Sequence, residues 1–213
     1  MKAVIFDRDG IIINSESINI DAVERAFQKY GIQISEDDKR FIIGKHPNDY
    51  GNYFLNKYDY PVKELFKIQK KFYYEMIESA PVFEETIKLI KRLKEQNISL
   101  ALTTSSDRES TLNILKKNNL DNIFDVIVTF DECSKRKPEP EPYQITARKL
   151  DIDPNECIVI EDSSIGVESA KYAGMKCIAI PNEFTRIQDF SKADLIVNSA
   201  SEITLETLDK LWS

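Results

Sequence analysis

Two aspartates, Asp7 and Asp9, end the apolar run "KAVIF" with only Arg8 between them. Two unit charges ~4 Å apart repel by about 4 kcal/mol at an effective dielectric near 20, so something must offset two carboxylates on one short turn. Other apolar runs also end in polar residues. Thr104 closes "ISLALTT", Glu161 and Asp162 close "CIVIED", and Lys137 stands in "KRKPEPEPY" after "DVIVTF". Singly, each has an ordinary explanation: an acid after a strand is often a turn former, and "EDSS" ahead of "IGVESAKYAG" reads as an acid- and serine-rich helix start. Jointly they point to chemistry. A hard divalent cation such as Mg2+ among Asp7, Asp9 and Asp162 removes the repulsion and lets an anionic substrate approach. Lys137 adds a second positive charge, and the Thr104 hydroxyl a hydrogen bond, to a transferring group. A metal-shielded aspartate facing a phosphoryl group serves as a nucleophile and forms an aspartyl-phosphate. A second acid two residues along is placed to protonate the leaving oxygen and then activate water.

These residues need elements that bring their loops together. From about residue 82, strand-length apolar runs (98–104, 125–130, 157–162, 177–182 and 194–199) alternate with helical patterns, and residues 2–6 add an opening strand. In "FEETIKLIKRLKEQ", Ile87, Ile90 and Leu93 recur at helical spacing. Continuous rather than alternating apolar strands indicate a parallel sheet covered on both faces, and the alternation predicts a doubly wound α/β core. Ligands of such sheets bind beyond the carboxyl ends of the strands, where the polar residues fall. Residues 14–81 break the rhythm with helical patterns and no convincing strand. Ala22, Val23, Ala26, Phe27 and Tyr30 share one side of a helix stopped at Gly31, and Leu65, Phe72 and Met76 share a face of another. The expected division is a core of 1–13 and 82–213 with a helical insert of 14–81.

Composition narrows the partners. At 213 residues the chain is one large domain or a core with an insert, with 42% hydrophobic and 31% charged residues. A net charge of −7 leaves no basic surplus for binding nucleic acid. No run approaches the ~20 apolar residues of a membrane span. The N-terminus has no signal-peptide layout, and Cys133, Cys157 and Cys177 show neither a disulfide framework nor zinc spacing. A cytoplasmic, soluble monomer is expected, acting on a small phosphorylated metabolite.

The motifs resemble those of the haloacid dehalogenase superfamily, in its β-phosphoglucomutase-like branch. "DRDG" (7–10) matches the first motif, Thr104 the second, Lys137 in "KPEPEPY" the third and "EDSSIGVESAKYAGM" (161–175) the fourth. The resemblance covers the whole core and the position of a helical cap. It implies that Asp7 is nucleophile and Mg2+ ligand, and that Asp9 is general acid/base and binds the metal through its backbone carbonyl. It also implies that Asp162 completes the metal site with Glu161 beside it. An acid at position 9 argues against dehalogenation, since the family's dehalogenases lack it. Two departures stand out. Arg8 fills a spacer usually apolar, and is expected to be tolerated because spacer and catalytic side chains point differently. In "IIGKHPNDY" (42–50), Pro47 stands near the place of the cap arginine with which sugar-phosphate mutases of the branch grip a distal phosphate. Ser105, Lys45, Lys70 and Lys71 are the candidate substrate contacts, and His46 is expected to be an exposed loop residue. The leading reading is a Mg2+-dependent phosphatase working through an aspartyl-phosphate. The alternatives are a β-phosphoglucomutase-type isomerase and a catalytically silent binding module. The complete set of Asp7, Asp9, Thr104, Lys137 and Asp162 argues against silence.

Overall fold

The computed structural model describes residues 2–42, 47–58 and 61–213. In chain order the elements are β1 (Ala3–Phe6), α1 (Ser15–Gln28), α2 (Glu36–Ile42), α3 (Pro47–Leu55), α4 (Val62–Ile77), α5 (Glu84–Glu95), β2 (Ser99–Thr103) and α6 (Arg108–Lys117). They continue with β3 (Val126–Val128), α7 (Glu141–Leu150), β4 (Cys157–Glu161), α8 (Ser164–Tyr172), β5 (Lys176–Ala179), β6 (Leu195–Ile196) and α9 (Leu205–Trp212). The chain divides into two compact units, Met1–Ile13 with Val82–Ser213, and Asn14–Pro81.

In the first unit, six strands form one sheet in the order β3-β2-β1-β4-β5-β6, with every neighbouring pair parallel. Every residue of β1 and β4 is buried, as the unbroken apolar runs require of central parallel strands. Ala3, Ile5, Val159 and Cys177 pack with Tyr143 and Ala147 of α7 and Val167 and Ala170 of α8. The α5 helix buries Ile87, Ile90 and Leu93, while Glu84 and Glu85 in its first turn and Arg92 and Lys94 in its last turn complement the helix dipole. Strand runs read from the sequence are shortened at their ends. The third stops at Val128 because Thr129 caps a short 3-10 turn, Phe130–Glu132, through reciprocal bonds with Glu132. The last shrinks to Leu195–Ile196, where Asp194 turns back to accept from the backbone N–H of Cys177 at 2.7 Å. The order places β1 beside β4, and the chain winds outward from that pair in both directions. This is the switch point at which open α/β sheets leave a crevice beyond the strand ends.

The described residues of the second unit are helical and contain no strand. Val23, Ala26 and Phe27 of α1 share a core with Tyr50 and Phe54 of α3 and Leu65 of α4. The Phe27 and Phe54 rings lie 4.8 Å apart. Along α4, Leu65 is buried and Phe72 and Met76 are half-buried on the expected face. Gln69 joins them, buried because its amide donates to Asn19 Oδ1 at 3.0 Å. The loop ahead of α2 is tied by fully buried Asp38. Its Oδ2 accepts from the Ser35 backbone N–H and hydroxyl and from Tyr58, while Oδ1 accepts from Tyr53 and Lys57.

Candidate active site

Asp7 is the first residue beyond β1, and its backbone N–H donates to Ile160 O of β4 at 3.0 Å. The two central strands therefore fix this aspartate directly. Glu161 ends β4 and Asp162 follows it, so both loops open at the switch point. Carboxylate oxygens of Asp7, Glu161 and Asp162 lie within 4.8 Å of one another, and all three residues are buried. Glycines make the approach possible. Gly10 has φ +77°, and a Cβ there would stand 2.0 Å from Asp162 Oδ2. Only a residue without a side chain lets the turn after β1 close onto that acid.

Lys137 sits between the acids, with Nζ 2.6 Å from Asp7 Oδ1, 2.7 Å from Glu161 Oε1 and 3.3 Å from Thr103 O. Glu161 is committed elsewhere as well. Its Oε1 accepts from Tyr143 at 2.9 Å, and its Oε2 from the backbone N–H groups of Asp162 and Ser163 and the Ser163 hydroxyl. Asn182 Nδ2 donates to Asp162 Oδ2 at 2.8 Å. Thr104 is buried, held by its backbone N–H on Val128 O, and its hydroxyl reaches Asp9 Oδ2 at 3.3 Å.

Burial governs the electrostatics. It pushes the Asp7 carboxyl up to about 7, with Lys137 opposing and Glu161 and Asp9 adding to the rise. Burial, then Glu161 and Asp7, hold the Asp162 carboxyl well above the usual range. Burial also works against the Lys137 ammonium, yet Asp7 and Glu161 beside it raise it above the ordinary lysine range. Lys137 is thus a fixed cation, and it does not suffice to make both aspartates comfortable anions. Three buried carboxylates (Asp7, Glu161 and Asp162) surround one cation (Lys137), which leaves a formal charge of −2. An all-oxygen donor set with that deficit fits a hard divalent ion.

Asp9 is placed differently from the other acids. Its carboxylate accepts from Ser106 Oγ at 2.8 Å, from Thr104, and from Arg8 through Nε at 3.1 Å and a terminal nitrogen at 3.0 Å. This corrects the expectation that spacer and catalytic side chains point differently. Arg8 is fully buried because its guanidinium folds onto its neighbour's carboxylate and into a pocket of hydroxyls on α6.

The substrate candidates are scattered. Ser105 is exposed, and the next residue, Ser106, makes the contact to Asp9. In the second unit, Lys70 is exposed with its ammonium 5.7 Å from the Tyr74 ring centre, and exposed Lys71 pairs with Glu75 at 3.8 Å. Lys45 and His46 lie outside the described residues. Sequence reasoning missed Arg8 as a contact, along with Ser106, Tyr143 and Asn182. The hydroxyl-rich "TTSSD" and the Asn after "CIAIP" were the available signals.

Residues 4–180 match the haloacid dehalogenase-like hydrolase family. The chain is 33% identical over 212 residues to a bifunctional riboflavin kinase/FMN phosphatase of Arabidopsis thaliana, covering 96% of this chain but only 55% of that longer protein. It is 32% identical over 185 residues to a phosphorylated carbohydrates phosphatase of Thermotoga maritima, with 84% of each chain covered. The crystal structure of a β-phosphoglucomutase from Clostridium difficile superposes with a TM-score of 0.76 at 26% identity, covering 100% of this chain and 97% of that one. No described helix is long and apolar enough to cross a membrane. With the sheet order, the acids at its switch point and these likenesses together, the chain belongs to the haloacid dehalogenase-like hydrolases, in their β-phosphoglucomutase-like branch.

Proposed function

We propose that the protein is a Mg2+-dependent phosphatase of a small phosphorylated metabolite, with a sugar phosphate as the leading substrate class, working through an aspartyl-phosphate on Asp7. The observation that carries this reading is the buried Asp7–Lys137–Glu161 arrangement beside Asp162, with its deficit of two positive charges. Asp7 and Asp162 would hold the ion with the backbone carbonyl of Asp9. Glu161, which already accepts from five donors, anchors Lys137. When bound, Mg2+ supplies positive charge for the phosphoryl oxygens and keeps the acids ionised.

The residues divide the reaction between them. An Asp7 oxygen attacks phosphorus, the bond from phosphorus to the ester oxygen breaks, and that oxygen takes a proton from Asp9, which enters this step as the carboxylic acid. Lys137 and Thr104 face the charge on the transferring group. Asp9, now a carboxylate, takes a proton from water as the water oxygen attacks phosphorus. The Asp7–phosphorus bond then breaks, returning the Asp7 carboxylate and releasing phosphate.

The likeness to β-phosphoglucomutases supports a second reading, in which a sugar hydroxyl replaces water as acceptor. A mutase must grip the far phosphate of a bisphosphate, which a bidentate arginine does best. Residues 42–50 contain Lys45 but no arginine, and Lys71 is engaged with Glu75. Hydrolysis is therefore the preferred outcome. The test is phosphate release measured beside glucose 6-phosphate formation from β-glucose 1-phosphate, with a glucose 1,6-bisphosphate primer. Release should exceed isomerisation. Robust isomerisation with little free phosphate overturns the choice.

A further inference from the structure

Arg8 is fully buried, and its surroundings are built to hold it. A guanidinium has five N–H donors, and five acceptor contacts meet them here. Nε donates to Asp9 Oδ2 at 3.1 Å. One terminal nitrogen donates to Asp9 Oδ1 at 3.0 Å and Ser106 Oγ at 2.6 Å, and the other to Ser110 Oγ at 3.1 Å and Thr111 Oγ1 at 3.0 Å. The accepting hydroxyls are fixed in turn. Ser110 donates to Asp107 Oδ2 at 2.8 Å, Thr111 to Asp107 O at 2.7 Å, and Ser106 to Asp9 Oδ2 at 2.8 Å. Arg8 has no side-chain exposure, whereas that of Asp9 is 31%. A buried ion is weak evidence for stability, since an apolar side chain of similar volume often serves as well. What the fork supplies is geometry: two parallel bonds fix the plane of a carboxylate, which a single-point ammonium cannot do.

We propose that Arg8 is a positioning residue, which sets the orientation of the Asp9 carboxylate for proton transfer and ties it through Ser110 and Thr111 to the first turn of α6. This rests on the reading of Asp9 as the acid that protonates the leaving oxygen. Asp9 lies on a turn and is partly exposed, so its carboxylate can rotate unless it is held. A misplacement of about 1 Å in a reacting group can cost on the order of a hundredfold in rate. The loss should grow with the basicity of the leaving oxygen, because a good leaving group needs little protonation.

The experiment uses the full-length, Mg2+-loaded protein and aryl phosphates graded in leaving-group basicity, from p-nitrophenyl to phenyl phosphate. It compares wild type, Arg8→Met, Arg8→Lys and Asp9→Asn by kcat/KM, with melting temperature confirming the fold. Both Arg8 variants should lose about tenfold more with phenyl phosphate than with p-nitrophenyl phosphate, with KM within about twofold of wild type. Arg8→Lys carries the test should Arg8→Met fail to fold. If Asp9→Asn steepens the dependence and folded Arg8 variants keep the wild-type slope, the positioning role is wrong while the acid assignment stands. If Asp9→Asn itself leaves the slope unchanged, the acid assignment fails, and the role of Arg8 with it.

Discussion

A Cβ on Gly166 would stand 1.8 Å from Glu161 Oε1, closer than any side chain can come without movement. Gly166 lies in the first turn of α8, where alanine is the better helix former by about 1 kcal/mol. The clash should win over propensity, because Glu161 is held by five donors and anchors Lys137. Gly166→Ala is expected to destabilise the protein by about 1–3 kcal/mol. It should also lower kcat/KM about tenfold or more by displacing Lys137. Denaturant unfolding and phosphate release check both, and an alanine variant that is more stable and equally active contradicts the anchoring role.

Asp7 also sets a pH dependence. Burial raises its carboxyl from the ordinary 3.8 to about 7, so in the metal-free protein its ionised form opposes folding. That opposition is absent below about pH 4, grows as pH rises and is complete above about 7. Asp162 shifts in the same direction. Mg2+ needs both carboxylates ionised, so its binding must expel protons near neutrality. The stabilisation by Mg2+ should therefore be larger at about pH 8 than at about pH 5.5. Melting curves in chelator and in Mg2+ test this, together with calorimetry in buffers of different ionisation enthalpy. Equal shifts at both pH values contradict a site built on these acids.

The two acids at the strand ends should separate in their effects. Asp7→Asn should abolish phosphorylation of the enzyme, lowering turnover by about a thousandfold or more, because an amide is no nucleophile. Asp162→Asn should leave the fold intact and weaken Mg2+ binding by about tenfold to a hundredfold, since it removes one charged ligand. Acid-quench trapping of the phosphoenzyme and Mg2+ titration distinguish them. An Asp7→Asn protein that turns over normally refutes the assignment.

In the helical unit, the buried Asp38 carboxylate also sets a pH dependence. Burial opposes its charge, but Lys57, Ser35 and Tyr58 hold its carboxyl below the usual carboxylate range. Because its value in the folded state is depressed, its contribution is complete above about pH 4 and disappears as pH falls further. Asp38→Asn should destabilise the unit by about 2–3 kcal/mol at neutral pH. The gap in melting temperature between variant and wild type should narrow below about pH 4. A gap that stays constant into acid contradicts an ionic role.

Much of the core was legible because central parallel strands carry their own signal. "AVIF" and "CIVIE" are apolar throughout since both faces are covered. The strand ends were less legible, because they depend on local competition: Thr129 prefers to cap a turn, and Asp194 prefers the Cys177 backbone. Asp7, Glu161 and Asp162 could be placed near one another because topology alone sends residues at strand ends to one edge. Arg8 could not be read in the same way. Its acceptors Ser106, Ser110 and Thr111 lie about a hundred residues along the chain, and nothing near "DRDG" announces them.

The pairing of β1 with β4 has a consequence for synthesis. Ala3 pairs with Cys157 and Phe6 with Ile160, so the cluster of Asp7, Glu161 and Asp162 is closed by segments more than 150 residues apart. Contacts of such separation form late, after the entropy of a long loop has been lost. Asp7 is made almost at once and waits for the fourth strand to leave the ribosome before Asp162 can meet it. Until then the turn after β1 stands apart from the acids of β4, and the three-carboxylate cluster exists only once most of the sheet does.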